Sequence, residues 1–73
     1  MSYSRLSYYQ FSALLGDTVA EIMDDEVMPA DDKITARNAL QAVGHKIADV
    51  FTEDNPKGFD RERFFKDALI DNT

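Results

Sequence analysis

The chain has 73 residues, of which 44% are hydrophobic and 30% are charged, and its formal net charge is −6. That length allows one domain with one small core, and the apolar fraction is too high for a disordered chain. The chain has no cysteine and one histidine, which excludes a disulfide framework, a thiolate zinc site and a histidine-rich metal cluster.

The charge balance and the hydropathy pattern also restrict the partners. Phosphate contacts need lysine and arginine, so the acidic balance argues against direct binding to nucleic acid. No apolar run reaches the length of about 18 residues that a membrane span needs, and residues 1–20 lack the apolar core of a signal peptide. We therefore expect a cytoplasmic protein with no membrane partner.

The first predicted helix runs over residues 8–25. Ser7 and Gln10 have the spacing of a capping box, which predicts a helix start at residue 8 after a frayed lead-in over residues 1–6. The helix ends before Pro29, because the residue before a proline avoids the helical region. Its predicted buried stripe consists of Phe11, Leu15, Val19 and Ile22.

The second predicted helix runs over residues 31–53 and is the longest in the chain. Hydrophobic residues recur along it at spacings of 4, 3, 4 and 3, the pattern of a helix that buries one stripe. Asp31 and Asp32 lie in its first turn, where the helix dipole favours carboxylates. The short connection makes it an antiparallel neighbour of the first helix. Its predicted stripe consists of Ala36, Leu40, Val43, Ile47 and Val50.

A third, shorter helix is predicted over residues 61–70. Residues 55–58, Asn-Pro-Lys-Gly, have the side chains that a type I turn prefers. Asp60 is the predicted cap of the helix, and Phe59 and Phe64 have the spacing of a hydrophobic staple. The fold class that follows is all-α: the whole chain forms one domain of two long antiparallel helices and a short C-terminal helix.

The segment from Ala48 to Phe64 reads ADVFTEDNPKGFDRERF. It resembles the C-terminal signature of a group of small phage and prophage proteins, in which a helix is followed by Asn-Pro, a basic residue, Phe-Asp-Arg, any residue and Arg-Phe. The match covers about the last third of the chain, and Gly58 is an extra residue in it. The resemblance implies a mobile-element origin, hence a host-cell cytoplasm, and implies no catalytic activity. Turn, staple and cap explain the same residues structurally.

The sequence predicts no enzyme, cofactor or metal site. His45 is the one strong general base, and no glycine-flanked nucleophile turn accompanies the serines, so we expect a structural histidine. A calcium-loop template aligned on Gly58 places Lys57 and Phe64 at ligand positions, which rules it out. No glycine-rich loop that could hold phosphate is present.

Acidic residues are distributed unevenly along the chain. Between Leu6 and Asp32 there are seven acids and no lysine or arginine. Three of these acids fall at i, i+4 and i+7 on one face of the first helix, where like charges cost a few tenths of a kcal/mol. Those at its C-terminal end also oppose the helix dipole. The candidate partner-binding residues are Asp17, Glu21, Asp24, Asp25 and Glu26.

Three function classes fit these observations. In the first, the acidic face mimics a row of phosphates, and the protein binds and inhibits a host protein with a basic nucleic-acid groove, as anti-restriction and anti-CRISPR proteins do. In the second, the protein is a structural or oligomerising accessory protein whose acidic face is only hydrated. The third is an acidic antitoxin, although the chain shows no DNA-binding half. The acids of the first helix have possible counter-ions in Lys57, Arg61, Arg63 and Lys66, either of the same chain or of a second copy. Pairing with a second copy would give a homodimer.

Overall fold

The structure, a computed structural model, describes residues 3–72 and contains three helices over that range: α1 (Arg5–Asp24), α2 (Ala30–Asp54) and α3 (Arg61–Asp67). The two long helices run antiparallel, since Phe11 near the start of α1 contacts Phe51 near the end of α2. At the other end of the pair, Lys33 of α2 reaches Met23 of α1. The predicted all-α fold, with two long helices and a short C-terminal one, is confirmed.

Helix α1 begins earlier than the predicted start at residue 8. Ser4 is its N-cap, and the Ser4 hydroxyl accepts a hydrogen bond of 3.3 Å from the backbone N–H of Ser7. Ser7 therefore supplies the N–H that is capped, and it is not itself the cap. Of the expected lead-in, residues 1 and 2 lie outside the described residues, and Tyr3 packs edge-on against Phe51.

The core is an aromatic cluster that surrounds Phe51 of α2. The Phe51 ring is 2% exposed, and its neighbours come from α1, from the turn before α3 and from α3 itself. Ring pairs in edge-on or tilted arrangements stabilise a core beyond their area burial, by about 0.5–1.5 kcal/mol each. The centroid of the Phe51 ring lies 5.1 Å from the ring centroid of Tyr3, 4.8 Å from that of Tyr8, 5.6 Å from that of Phe11, 5.4 Å from that of Phe59 and 5.9 Å from that of Phe64.

Helix α2 buries a stripe that is rotated from the predicted one. Val43 and Val50, both assigned to the stripe, are each 48% exposed, whereas Leu40 and Ile47 pack against the core. The buried residues of α2 are Gly44, Ala48 and Phe51. The prediction was wrong for Val43 and Val50, because it followed the large aliphatic side chains and missed the buried Gly44, Ala48 and Phe51.

A similar rotation occurs in α1, whose buried residues are Ser12, Leu15, Gly16 and Val19. Phe11 stays partly exposed. Gly16 marks the closest approach to α3, because a Cβ atom there would lie 2.6 Å from the carbonyl oxygen of Asp67. The backbone of α3 thus rests directly on α1, which requires a residue without a side chain at position 16.

The turn that precedes α3 has the predicted form. Asn55 accepts hydrogen bonds from the N–H of Gly58 through both its carbonyl oxygen, at 3.2 Å, and its side-chain oxygen, at 3.0 Å. The Asp60 carboxylate accepts a bond of 3.0 Å from the N–H of Arg63 and caps the helix. The staple rings of Phe59 and Phe64 lie 5.5 Å apart. Turn, cap and staple are confirmed.

Helix α3 ends at Asp67, before the predicted end at residue 70. Leu69 has a positive φ of 59°, and the N–H groups of Leu69 and Ile70 bond to the carbonyls of Lys66 and Phe65. This is a Schellman motif, which usually has glycine at the left-handed position. The reversal directs Ile70 back into the core, where it lies against Gly44.

We predict that Phe51→Ala destabilises the protein by about 3–5 kcal/mol, the range for removing a buried aromatic ring. A domain of this size has on the order of 5 kcal/mol in total, so the variant should be largely unfolded. Val50→Ala, next to it on the exposed side of α2, should change the free energy of unfolding by less than about 1 kcal/mol. Circular dichroism during urea titration measures both. Equal losses would contradict the assignment of the core to Phe51.

Candidate functional site

Three acids of α1 form an exposed row, which we call the acidic ridge: Asp17, Glu21 and Asp24. The helical rise of about 1.5 Å per residue separates neighbouring members by about 4.5–6 Å along the axis. All three are exposed, and within residues 3–72 none of their carboxylates takes part in an ion pair or a side-chain hydrogen bond. The ridge therefore presents uncompensated negative charge to solvent.

Several acids outside α1 form ion pairs with arginines, unlike the acids of the ridge. Three ion pairs occur in the described part of the chain, and all of them lie on α2, α3 and the C-terminal segment. Pairing between the acids of α1 and the basic residues of the same chain, one option for the basic cluster, is not formed. The pairs are Arg37–Asp71 at 3.7 Å, Arg61–Asp49 at 2.9 Å and Arg63–Asp67 at 3.7 Å.

Arg61 and His45 belong to a network that fastens α3 to α2. The Arg61 guanidinium donates to the Asp49 carboxylate and lies 5.2 Å from the centre of the Phe65 ring. It also lies 3.4 Å from Nδ1 of His45. A guanidinium can only donate, so Nδ1 accepts and Nε2 donates to the carbonyl of Asp71 at 2.9 Å. These contacts give both Arg61 and His45 a structural role.

Asp25 has a local role that the ridge acids lack. Its carboxylate accepts hydrogen bonds from the N–H groups of Val27, at 2.9 Å, and Met28, at 3.1 Å. This arrangement ends α1 and shapes the connection to α2. Sequence reasoning grouped Asp25 with the partner-binding acids and did not use the known tendency of aspartate to bond the N–H two residues further on. Glu26 is exposed in the same connection.

Lys33 compensates part of the charge at the C-terminal end of α1. Its Nζ donates to the carbonyl oxygen of Met23 at 2.8 Å, so a cation from α2 lies where the helix dipole is negative. The sequence has no lysine or arginine between Leu6 and Asp32, and only the antiparallel packing brings Lys33 close to this end of α1. Asp17 and Glu21 lie two and one turns further from that end, so Lys33 leaves most of the ridge uncompensated.

A small cleft of about 230 Å³ lies between the first half of α1 and α3. Tyr8 and Tyr9 form part of its wall, and the Arg63 guanidinium lies 5.2 Å from the centre of the Tyr9 ring. The Tyr8 hydroxyl is buried and has no hydrogen-bond partner. The cleft is smaller than the 300–1,000 Å³ of most ligand pockets, and Arg63 is already paired with Asp67.

Within residues 3–72, no group of three or more His, Cys, Asp or Glu side chains is arranged to hold a metal ion. Over the same residues, no helix combines the length and apolarity needed to cross a membrane. No family model, curated protein or solved structure matches the chain.

We predict that Asp25→Ala lowers the free energy of unfolding by about 1 kcal/mol, because the N–H groups of Val27 and Met28 lose their acceptor. Asp24→Ala should leave it level or raise it slightly, since this carboxylate has no partner and lies near the negative end of α1. Urea unfolding of the two single variants makes the comparison. If Asp24→Ala were the more destabilising change, the division between structural and ridge acids would be wrong.

Proposed function

We propose that this protein is a non-enzymatic, phage-type binding protein whose acidic ridge docks onto a basic nucleic-acid groove of a host protein and inhibits it. The observation that carries the proposal is the exposed, unpaired state of Asp17, Glu21 and Asp24, in a chain whose other helices pair acids with arginines. The phage origin rests on the resemblance of the segment from Ala48 to Phe64, and the proposed location is the host cytoplasm.

The ridge has the chemistry of a phosphate row. Its charges follow one another over about 10 Å of helix, and a rigid helix holds them in place without a partner. A groove that binds nucleic acid is lined with lysine and arginine and attracts such a row over about a Debye length. Charge attraction of this kind mainly accelerates association, and it keeps unsuitable partners away.

The cost of the ridge to the fold supports the same interpretation. Like charges at i, i+4 destabilise a helix by about 0.2–0.5 kcal/mol, and Asp24 also lies near the negative end of the helix dipole. Features that oppose local stability concentrate at functional sites. A hydrated surface with no partner is the competing explanation, and a binding experiment separates the two.

The test is capture from a bacterial lysate on immobilised protein. We expect the wild type to retain nucleic-acid-binding proteins at low salt, and added duplex DNA to compete with that retention. The variant Asp17→Asn, Glu21→Gln, Asp24→Asn should lose most of the captured protein, because association slows when the row is neutral. Capture should also decline as salt rises to 0.15 M, where the Debye length is about 8 Å.

A matched control removes the same number of charges elsewhere. Asp32→Asn, Glu53→Gln, Glu62→Gln alters three exposed acids outside the ridge and leaves the same net charge as the ridge variant. It should retain wild-type capture. If both variants lose capture equally, net charge and not the ridge is responsible. If the ridge variant captures as much protein as the wild type, and high salt does not reduce the capture, the phosphate-mimic proposal is wrong.

A further inference from the structure

The chain turns back after α3 in a segment that we call the C-terminal latch: Leu69, Ile70 and Asp71. Its middle residue enters the core, since Ile70 is 6% exposed and lies against Gly44 of α2. A Cβ atom at position 44 would meet Cδ1 of Ile70, so the glycine provides the space that this side chain fills. The latch therefore closes an apolar recess on α2 with one aliphatic side chain.

The backbone of the latch is strained where it leaves α3. Leu69 has a φ of 59°, and among residues 3–72 it is the one non-glycine residue with a positive φ. In this left-handed region the Cβ atom crowds the following carbonyl oxygen. The side chain of Leu69 is 51% exposed, so its own burial offsets little of that strain. The closed latch thus carries a cost at its first residue.

The hydrogen bonds of the latch are weak. The N–H of Leu69 lies 3.3 Å from the carbonyl oxygen of Lys66, and that of Ile70 lies 3.2 Å from the carbonyl oxygen of Phe65. Both distances exceed the usual length of about 2.9–3.0 Å. The Asp71 carboxylate lies 3.7 Å from the guanidinium of Arg37, and exposed pairs of this kind stabilise little. The donation from His45 Nε2 to the Asp71 carbonyl, at 2.9 Å, is the one short contact among these.

Helix α3 is anchored without the latch. Phe64 and Phe65 are 3% and 1% exposed, and Arg61 pairs with Asp49 of α2 at 2.9 Å. The carbonyl of Asp67 lies over Gly16 of α1. All of these anchors precede the latch in the chain. Opening the latch would therefore leave α3 packed on both long helices.

We infer that the C-terminal latch opens and closes as a unit while the three helices stay folded, and that the strain at Leu69 sets the balance. Burial of Ile70 favours the closed state, whereas relief of the strained backbone favours the open one. Segments held by few buried contacts are the first to open locally. The open state uncovers the recess at Gly44 and frees Nε2 of His45. The inference does not rest on the proposed function, because its test measures latch amides and no partner.

Native-state hydrogen exchange of the full chain, followed by NMR, tests the latch. The amide of Ile70 is bonded only while the latch is closed, so its exchange reports opening. We expect it to exchange at least about tenfold faster than the amides of Val19 and Ala48, which lie inside α1 and α2. Urea below the unfolding transition should leave the Ile70 rate unchanged, because latch opening exposes little surface, and should raise the other two rates.

Two variants test the role of the strain. Leu69→Gly removes the Cβ atom that crowds the backbone, so it should slow exchange at Ile70 by about fivefold. Leu69→Ala is the matched control, since it also removes the exposed leucine side chain but keeps the Cβ atom. Its Ile70 rate should stay within about twofold of the wild-type rate.

Three results would overturn the inference. If the Ile70 amide matches Val19 and Ala48 in both rate and urea dependence, the segment opens only when the whole protein unfolds. If it exchanges as fast as an unstructured peptide, there is no closed state. Equal Ile70 rates in Leu69→Gly and Leu69→Ala would show that strain at this residue does not set the balance. The first two readouts use the wild type, so they stand even if a variant disturbs the fold.

Discussion

The packing around Phe51 is the constraint on which the rest of the structure depends. A chain of 73 residues without cysteine has no covalent staple, so its stability must come from a small number of large side chains. Phe51 meets rings from α1, from the turn and from α3, so one side chain joins all three elements. The short helix α3 can persist only because Phe64 and Phe65 are inserted there, since seven residues are too few for a stable isolated helix.

The packing of α3 on α1 and α2 determines which surfaces of the protein stay exposed. Because α3 lies on one side of the helix pair, the opposite side of α1 and α2 keeps its apolar residues uncovered. Over residues 3–72, the acids of the ridge on α1 form no ion pair with α2 or α3. Arg37, Arg61 and Arg63 pair with Asp71, Asp49 and Asp67, and so do not compensate the ridge.

Local signals in the sequence were sufficient for the elements whose geometry is set by neighbouring residues. The turn at Asn55, the Asp60 cap and the staple of Phe59 and Phe64 each depend on contacts within a few residues. The helix stripes were less predictable, because Gly16 and Gly44 are buried by tertiary packing that hydrophobicity does not register. The end of α3 at Leu69 was not visible either, since a leucine in the left-handed region carries no turn signature.

The candidate site also has features that the sequence predicts and features that depend on tertiary packing. The exposure and alignment of the ridge acids follow from helical spacing and could be read from the sequence. The role of Asp25 depends on the path of the chain between the helices, and that of Lys33 on their antiparallel contact. Neither of these follows from periodicity. Among the five candidate acids, Asp25 has a structural role, and Asp17, Glu21, Asp24 and Glu26 take part in no ion pair over residues 3–72.

We propose that the acidic ridge serves something other than the stability of the fold. The most direct measurement is the free energy of unfolding of Asp17→Asn, Glu21→Gln, Asp24→Asn, compared with the wild type in urea at low and at high salt. Relief of like-charge repulsion should stabilise the variant by about 0.5 kcal/mol at low salt, and the difference should shrink as salt screens the charges. A loss of about 1 kcal/mol or more at either salt concentration would show instead that the ridge stabilises the packing of the helices.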